Sequence, residues 1–165
     1  MLVALGANRG SRRRHLAEAI RRLEDEGLVP VRLSGIWETE PVGAAAGPEW
    51  FCNAAAVAET GLDARATLVA CLRVEREMGR VRGPGSEGGS RTIDIDLLAW
   101  ANEIVDSPEL TLPHPRLHVR RFVLAPLAEI APGWRHPITG RTVAEMLGEL
   151  PAGETVRRVG DFPIR

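Results

Sequence analysis

The stretch GSRTIDIDLLAW, residues 89–100, sets two carboxylates, Asp94 and Asp96, into an apolar run of Ile93, Ile95, Leu97 and Leu98 that reads as a buried strand. Side chains two apart on a strand share a face, so the two acids stand together, roughly 6–7 Å apart at the backbone. Carboxylates in such a run need an arginine, a proton or a metal cation to offset the loss of water. A pair of Mg²⁺ ions about 3.5–4 Å apart fits that span and gives hard oxygen ligands to a hard cation, as phosphate chemistry requires. Just upstream, Arg80, Arg82 and Arg91 enclose Gly83, Gly85, Gly88 and Gly89. Guanidinium forks suit phosphate oxygens, and the glycines let the segment adapt. A plainer reading, an Arg91–Asp94 ion pair beside a surface loop, fits the same residues, and the stretch alone leaves both open.

The rest of the composition narrows the field. A chain of 165 residues fits one domain with one core, expected over 1–165, and its 44% hydrophobic and 26% charged residues are ordinary for a globular protein. No apolar run approaches the roughly 20 residues of a membrane span, and a net charge of −1 gives no bulk attraction to nucleic acid or anionic lipid. All 21 basic residues are arginine, which removes the P-loop lysine, the kinase strand lysine and every Schiff-base mechanism. Cys52 and Cys71 lie in apolar segments without metal-ligand spacing, so buried thiols in a cytoplasmic chain are expected.

Along the chain, Leu2–Leu5 read as a strand and Ser11 as the cap of a helix with Leu16, Ala19, Ile20 and Leu23 on its apolar stripe, closed by Gly27. His15 reads as an ordinary helix-flank histidine with its polar atoms satisfied. Val29–Glu38 read as one strand, and residues 39–50 as a long loop. In the strand 51–59, Phe51 and Asn53 share a face, where a ring and an amide can stack on and hydrogen-bond one flat heterocycle; a core aromatic beside a solvated asparagine fits equally well. Asp63 caps a second helix, with Ala64, Leu68, Cys71, Val74 and Met78 inward and Gly79 ending it. His114, between Pro113 and Pro115, is held in extended backbone. Helices over 122–130 and after Thr142 and a last strand over 155–159 complete the chain, with His136 given no role.

Several blocks in order, VALGANRG, TEPVG followed by WFCNAA, EREMGRVR, SRTIDIDLL and LPHPRLHVRRFVLAPLAEIAP, together spanning 3–132, closely resemble the 6-hydroxymethyl-7,8-dihydropterin pyrophosphokinases of folate biosynthesis. The resemblance implies an α+β, ferredoxin-like sandwich: a central, mainly antiparallel sheet, helices packed on it and long flexible catalytic loops. It implies transfer of the terminal pyrophosphate of ATP to the pterin hydroxymethyl group, leaving AMP. Asp94 and Asp96 match the acids that hold two Mg²⁺ ions, and Arg80 and Arg91 match the loop arginines tied to catalysis. Arg82, Leu97, Thr111, His114 and Arg120 match the ATP site, with His114 assigned to binding rather than proton removal. Phe51 and Phe122 match the aromatics that sandwich the pterin, Asn53 the residue that reads its edge, and Gly6, Thr39, Pro41 and Val42 the rest of that pocket.

The chain departs from the family pattern at EGGS, residues 87–90, where an aromatic followed by Gly-Pro is common; slower or weaker closure of that loop is expected. Phe51 stands where a tyrosine is frequent, keeping the ring. A monomer with no nucleic-acid or membrane partner is expected. The alternatives are another two-metal nucleotide transferase, which owes nothing to Phe51, Asn53 and Phe122, and a non-catalytic ferredoxin-like ligand-binding module whose acids are merely paired to arginine.

Overall fold

A computed structural model describes residues 1–40, 49–80 and 92–163. The first strand, β1 (Leu2–Ala7), is buried along its whole length because it is covered on both faces. Val3, Leu5 and Ala7 point to one side, where helices α1 (Arg12–Asp25) and α2 (Ala64–Glu77) lay down Leu16, Ala19, Leu23, Cys71 and Val74. Leu2 and Ala4 point to the other, where helices α3 (Arg121–Ile130) and α4 (Val143–Glu149) bring Val123, Leu124, Leu127, Val143 and Met146. Each buried leucine contributes about 1.5–3 kcal/mol.

The strands that follow are β2 (Val29–Leu33), β3 (Ile36–Thr39), β4 (Phe51–Glu59), β5 (Asp94–Ala99), the short pair β6 (Val105–Asp106) and β7 (Thr111–Leu112), and β8 (Val156–Gly160). The main sheet runs β5-β1-β4-β3-β8, β2 pairs with the far half of β4, and every pair in it is antiparallel. The order β5-β1-β4-β2/β3, built from β-α-β-β-α-β with α1 and α2 on one face, is the ferredoxin-like arrangement expected from the resemblance.

One expected strand is two. The run 29–38 breaks at Ser34 and Gly35, where the Ser34 hydroxyl accepts from the Ala55 amide at 2.9 Å and donates to the Gly35 carbonyl at 2.8 Å. A side chain at Gly35 would meet Arg158 and the Gly160 carbonyl at 2.7 Å, so β8 crosses here only because residue 35 has none. Ser11 stands at the N-cap of α1 without a side-chain capping bond, and the His15 Nδ1 is buried with no hydrogen-bond partner among the described residues, against the expectation for both. His136 is buried, and Cys52 and Cys71 are buried free thiols, the latter pushed up to about 12 by its apolar surroundings.

Candidate active site

The acids lie on the face of β5 that carries Leu98 toward α3, while Ile95 and Leu97 pack toward α1 and α2. Their positions follow from how α2 ends. Gly79, at φ +83°, lets the amides of Gly79 and Arg80 bond back to the carbonyls of Arg76 and Glu75, both at 3.0 Å, a glycine-terminated cap that turns the chain sharply onto β5. Arg80 thereby places its guanidinium between Glu75 Oε1, 3.0 Å away, and Asp94 Oδ1, which it contacts directly. Glu75, 1% exposed, also accepts the Ile95 amide at 2.7 Å, so one buried carboxylate caps the outer edge of β5 and holds the arginine. Asp96 is paired with Arg120 at 3.0 Å, and the Arg120 guanidinium lies 5.5 Å from the centroid of the Phe122 ring. Each acid thus faces an arginine while keeping 20% and 28% of its side chain exposed.

Strand register brings the aromatic side of the site alongside. Thr39 pairs with Phe51, and Asn53, Gly6 and Asp94 form one continuous row across β4, β1 and β5. Two strand spacings, about 10 Å, separate Asn53 from Asp94, and Gly6 between them presents no side chain. Asn53 is fixed by donation from Nδ2 to the Thr39 hydroxyl at 2.9 Å, and both residues are buried. Phe122, in the first turn of α3, stands on this same side of the sheet.

Asp96, Leu97, Thr111 and His114 line one cavity of about 330 Å³ along the outer edge of β5, with Leu68 and Leu72 of α2 forming an apolar wall. The His114 amide donates to the Leu98 carbonyl at 2.8 Å, docking the Pro-His-Pro segment on that edge. His114 Nδ1 accepts the Arg116 amide at 3.1 Å, which leaves Nε2 as the donor nitrogen. Burial first, then the Arg120 and Arg116 charges, hold this imidazole below its ordinary range against the opposing pull of Asp96. Arg82, Arg91, Pro41, Val42 and the EGGS segment lie outside the described residues. A larger cavity, about 420 Å³, opens on the opposite face beside Arg12, Glu38 and Arg157, and none of the expected site residues among the described ones lines it.

Leu68 was expected in the core of α2 rather than along a cavity, and no site role was expected for Glu75 or Leu72, although Glu75 falls four residues after Cys71 and so on the inward stripe of α2, where an acid demands a partner. The donor set of Asp94 and Asp96 suits a hard divalent cation: two same-face carboxylates, partly open to solvent. Mg²⁺ takes one or two protein carboxylates and completes its shell with phosphates and water, so two acids are donors enough for it.

Two acids, each paired with an arginine, share one sheet face with Asn53 and Phe122, an arrangement that suits the class of phosphoryl-group transferases acting on a flat ring. Residues 2–132 match the family model described as 7,8-dihydro-6-hydroxymethylpterin-pyrophosphokinase. The 2-amino-4-hydroxy-6-hydroxymethyldihydropteridine pyrophosphokinase of Methylorubrum extorquens is 40% identical over 153 residues, covering 92% of this chain and 94% of its own. Its counterpart from Pseudomonas aeruginosa is 38% identical, covering 90% of each. A folic acid synthesis protein of Pneumocystis carinii is 32% identical, and this chain spans only 19% of it. Among solved structures, wild-type HPPK-DHPS of Plasmodium falciparum superimposes with a TM-score of 0.68 over 90% of this chain and 43% of that one, at 12% identity, a likeness of fold. The chain belongs to the 7,8-dihydro-6-hydroxymethylpterin-pyrophosphokinase family, ATP-dependent enzymes of folate biosynthesis. No helix among the described residues is long and apolar enough to cross a membrane.

Proposed function

We propose that this pyrophosphokinase holds MgATP between Asp94, Asp96 and the cavity beside β5, and a hydroxymethyl-dihydropterin between Phe51 and Phe122, so that pyrophosphate passes across the gap left by Gly6. The observation that carries this reading is the row Asn53–Gly6–Asp94, which sets a ring-reading amide and a metal-binding acid about one bicyclic ring apart. Two Mg²⁺ ions held by Asp94 and Asp96 would supply charge neutralisation along the triphosphate and lower the pKa of a coordinated hydroxyl.

The chain's own residues do the positioning. Asn53, oriented by Thr39, presents its amide to the edge of the pterin, and the rings of Phe51 and Phe122 fix its plane. Pro41 and Val42 are assigned to the pterin by the family resemblance alone, and Leu97, Thr111 and neutral His114 line the nucleotide, with the His114 Nε2 hydrogen available to a phosphate oxygen. Arg80, Arg82, Arg91 and Arg120 neutralise charge on the transferring group and on departing AMP. The pterin hydroxyl oxygen bonds to the β-phosphorus as the bond from that phosphorus to the α,β-bridging oxygen breaks; the hydroxyl proton passes to solvent. No side chain is needed as a strong base, because a loose transition state asks mainly for orientation and opposite charge.

The buried free thiols support a cytoplasmic setting, and we read residues 1–165 as a single domain acting as a monomer. Mass-resolved product analysis after mixing protein, MgATP and hydroxymethyl-dihydropterin tests the reaction. AMP with a pterin diphosphate is expected; ADP with a pterin monophosphate would contradict it.

A further inference from the structure

Arg120 meets both halves of the site with one side chain. Its Nη1 donates to Asp96 Oδ2 at 3.0 Å, and its guanidinium carbon lies 5.5 Å from the centroid of the Phe122 ring, within reach of a cation–π contact. Its backbone serves the same ring. Arg120 is the extended N-cap residue of α3, at φ −107° and ψ 102°, and its carbonyl accepts the amides of Val123 and Leu124 at 3.1 and 2.9 Å, so the turn that carries Phe122 begins on it. The side chain makes no capping bond to that turn and reaches back 24 residues to β5 instead. With 16% of its side chain exposed, the arginine makes these contacts largely out of water, where each counts for more. Phe122 is only partly buried against the core, so packing beneath it holds part of the ring and leaves part to be held from the side.

We propose that Arg120 is a positioning residue for the pterin: it ties the Phe122 ring to Asp96 and so sets the spacing between the pterin wall and the metal-binding acid. The inference rests on the reading of Phe122 as a wall of the pterin slot and goes beyond the nucleotide role given to Arg120 above. A planar guanidinium can donate from its edge while its face lies against a ring, whereas an ammonium is a point charge that serves one of the two. Asp96 and Phe122, assigned to different substrates, thereby share one side chain.

Titration calorimetry of hydroxymethyl-dihydropterin at saturating Mg²⁺ and a non-hydrolysable ATP analogue tests this on Arg120→Met, Phe122→Leu and the double variant. A cation–π contact of about 1 kcal/mol corresponds to about a fivefold change in affinity. For Arg120→Met we therefore expect the pterin to bind about fivefold more weakly, and the same substitution made in Phe122→Leu to change pterin affinity by less than about twofold, because the ring that transmits the effect is gone. If Phe122→Leu weakens the pterin and Arg120→Met does not, the positioning role is overturned and the slot stands. If Arg120→Met weakens the pterin equally in both backgrounds, it acts without the ring, and the proposal is overturned. If Phe122→Leu leaves pterin affinity intact, the slot falls and the inference with it. Should Arg120→Met not fold, Arg120→Lys, which keeps the charge without the planar fork, is expected to weaken the pterin only where Phe122 is present; unchanged pterin affinity in that variant would overturn the proposal.

Discussion

Gly6 gives the site its clearance. A Cβ there would stand 2.9 Å from Asn53 Oδ1, and Asn53 is held by Thr39, so the amide would have to yield. Gly6→Ala is therefore expected to raise the pterin KM by about tenfold, the scale of one lost neutral hydrogen bond, while MgATP affinity stays unchanged by calorimetry. Equal losses for both substrates would contradict that division. At this scale much was legible in the chain: period two put Asp94 with Asp96 and Phe51 with Asn53 before any register was known. Register is what made them one site, and no spacing along the sequence states that residues 6, 53 and 94 lie side by side. The pairing of Arg120 with Asp96 and the bond from the Ile95 amide to Glu75 were hidden for a related reason, since these partners lie 24 and 20 residues apart.

Among the elements, α2 and its cap decide where Arg80 meets Asp94, the start of the proposed phosphate side. The helix and its closing Gly79 could be read directly, because the apolar stripe and the glycine are local signals. The split of the 29–38 run into β2 and β3 could not, as the Ser34 hydroxyl substitutes for a ladder bond through Ala55, a partner in another strand. Glu75 ties α2 to β5 through Arg80 and the Ile95 amide, with 1% of its side chain exposed. Glu75→Ala is expected to destabilise the fold by about 3–5 kcal/mol in urea titration, the cost of stranding one half of a buried pair. The exposed pair Arg21–Asp25, by contrast, should cost less than about 1 kcal/mol when Asp25 becomes alanine. Equal values for the two would show that Glu75 is not the tether described.

For the molecule as a whole, stability should depend on pH in a defined sense. His114 and His136 are both held below the ordinary 6.5, in each case chiefly by burial. The unfolded chain therefore takes up more protons than the folded one as pH falls below 6.5, so their contribution is complete above that value and is lost progressively toward the depressed folded values. Melting temperature is expected to decline below about pH 6.5, with a shallower decline there in a His114→Gln, His136→Gln double variant. An unchanged slope in that variant would assign the effect elsewhere. The layer arrangement was foreseeable at this scale from the resemblance, whereas the joining of residues 150–155 to the end of β3 depends on contacts between residues more than a hundred apart, such as Thr155 and Glu40.

The proposed transfer depends most on divalent cations bridging two neighbouring acids and a nucleotide. Crystals grown with Mn²⁺ and a non-hydrolysable ATP analogue, measured for anomalous scattering, address that directly. We predict two peaks at about coordination distance, roughly 2.1–2.2 Å, from the carboxylate oxygens of Asp94 and Asp96. Bound nucleotide with no peak beside either acid would contradict the account.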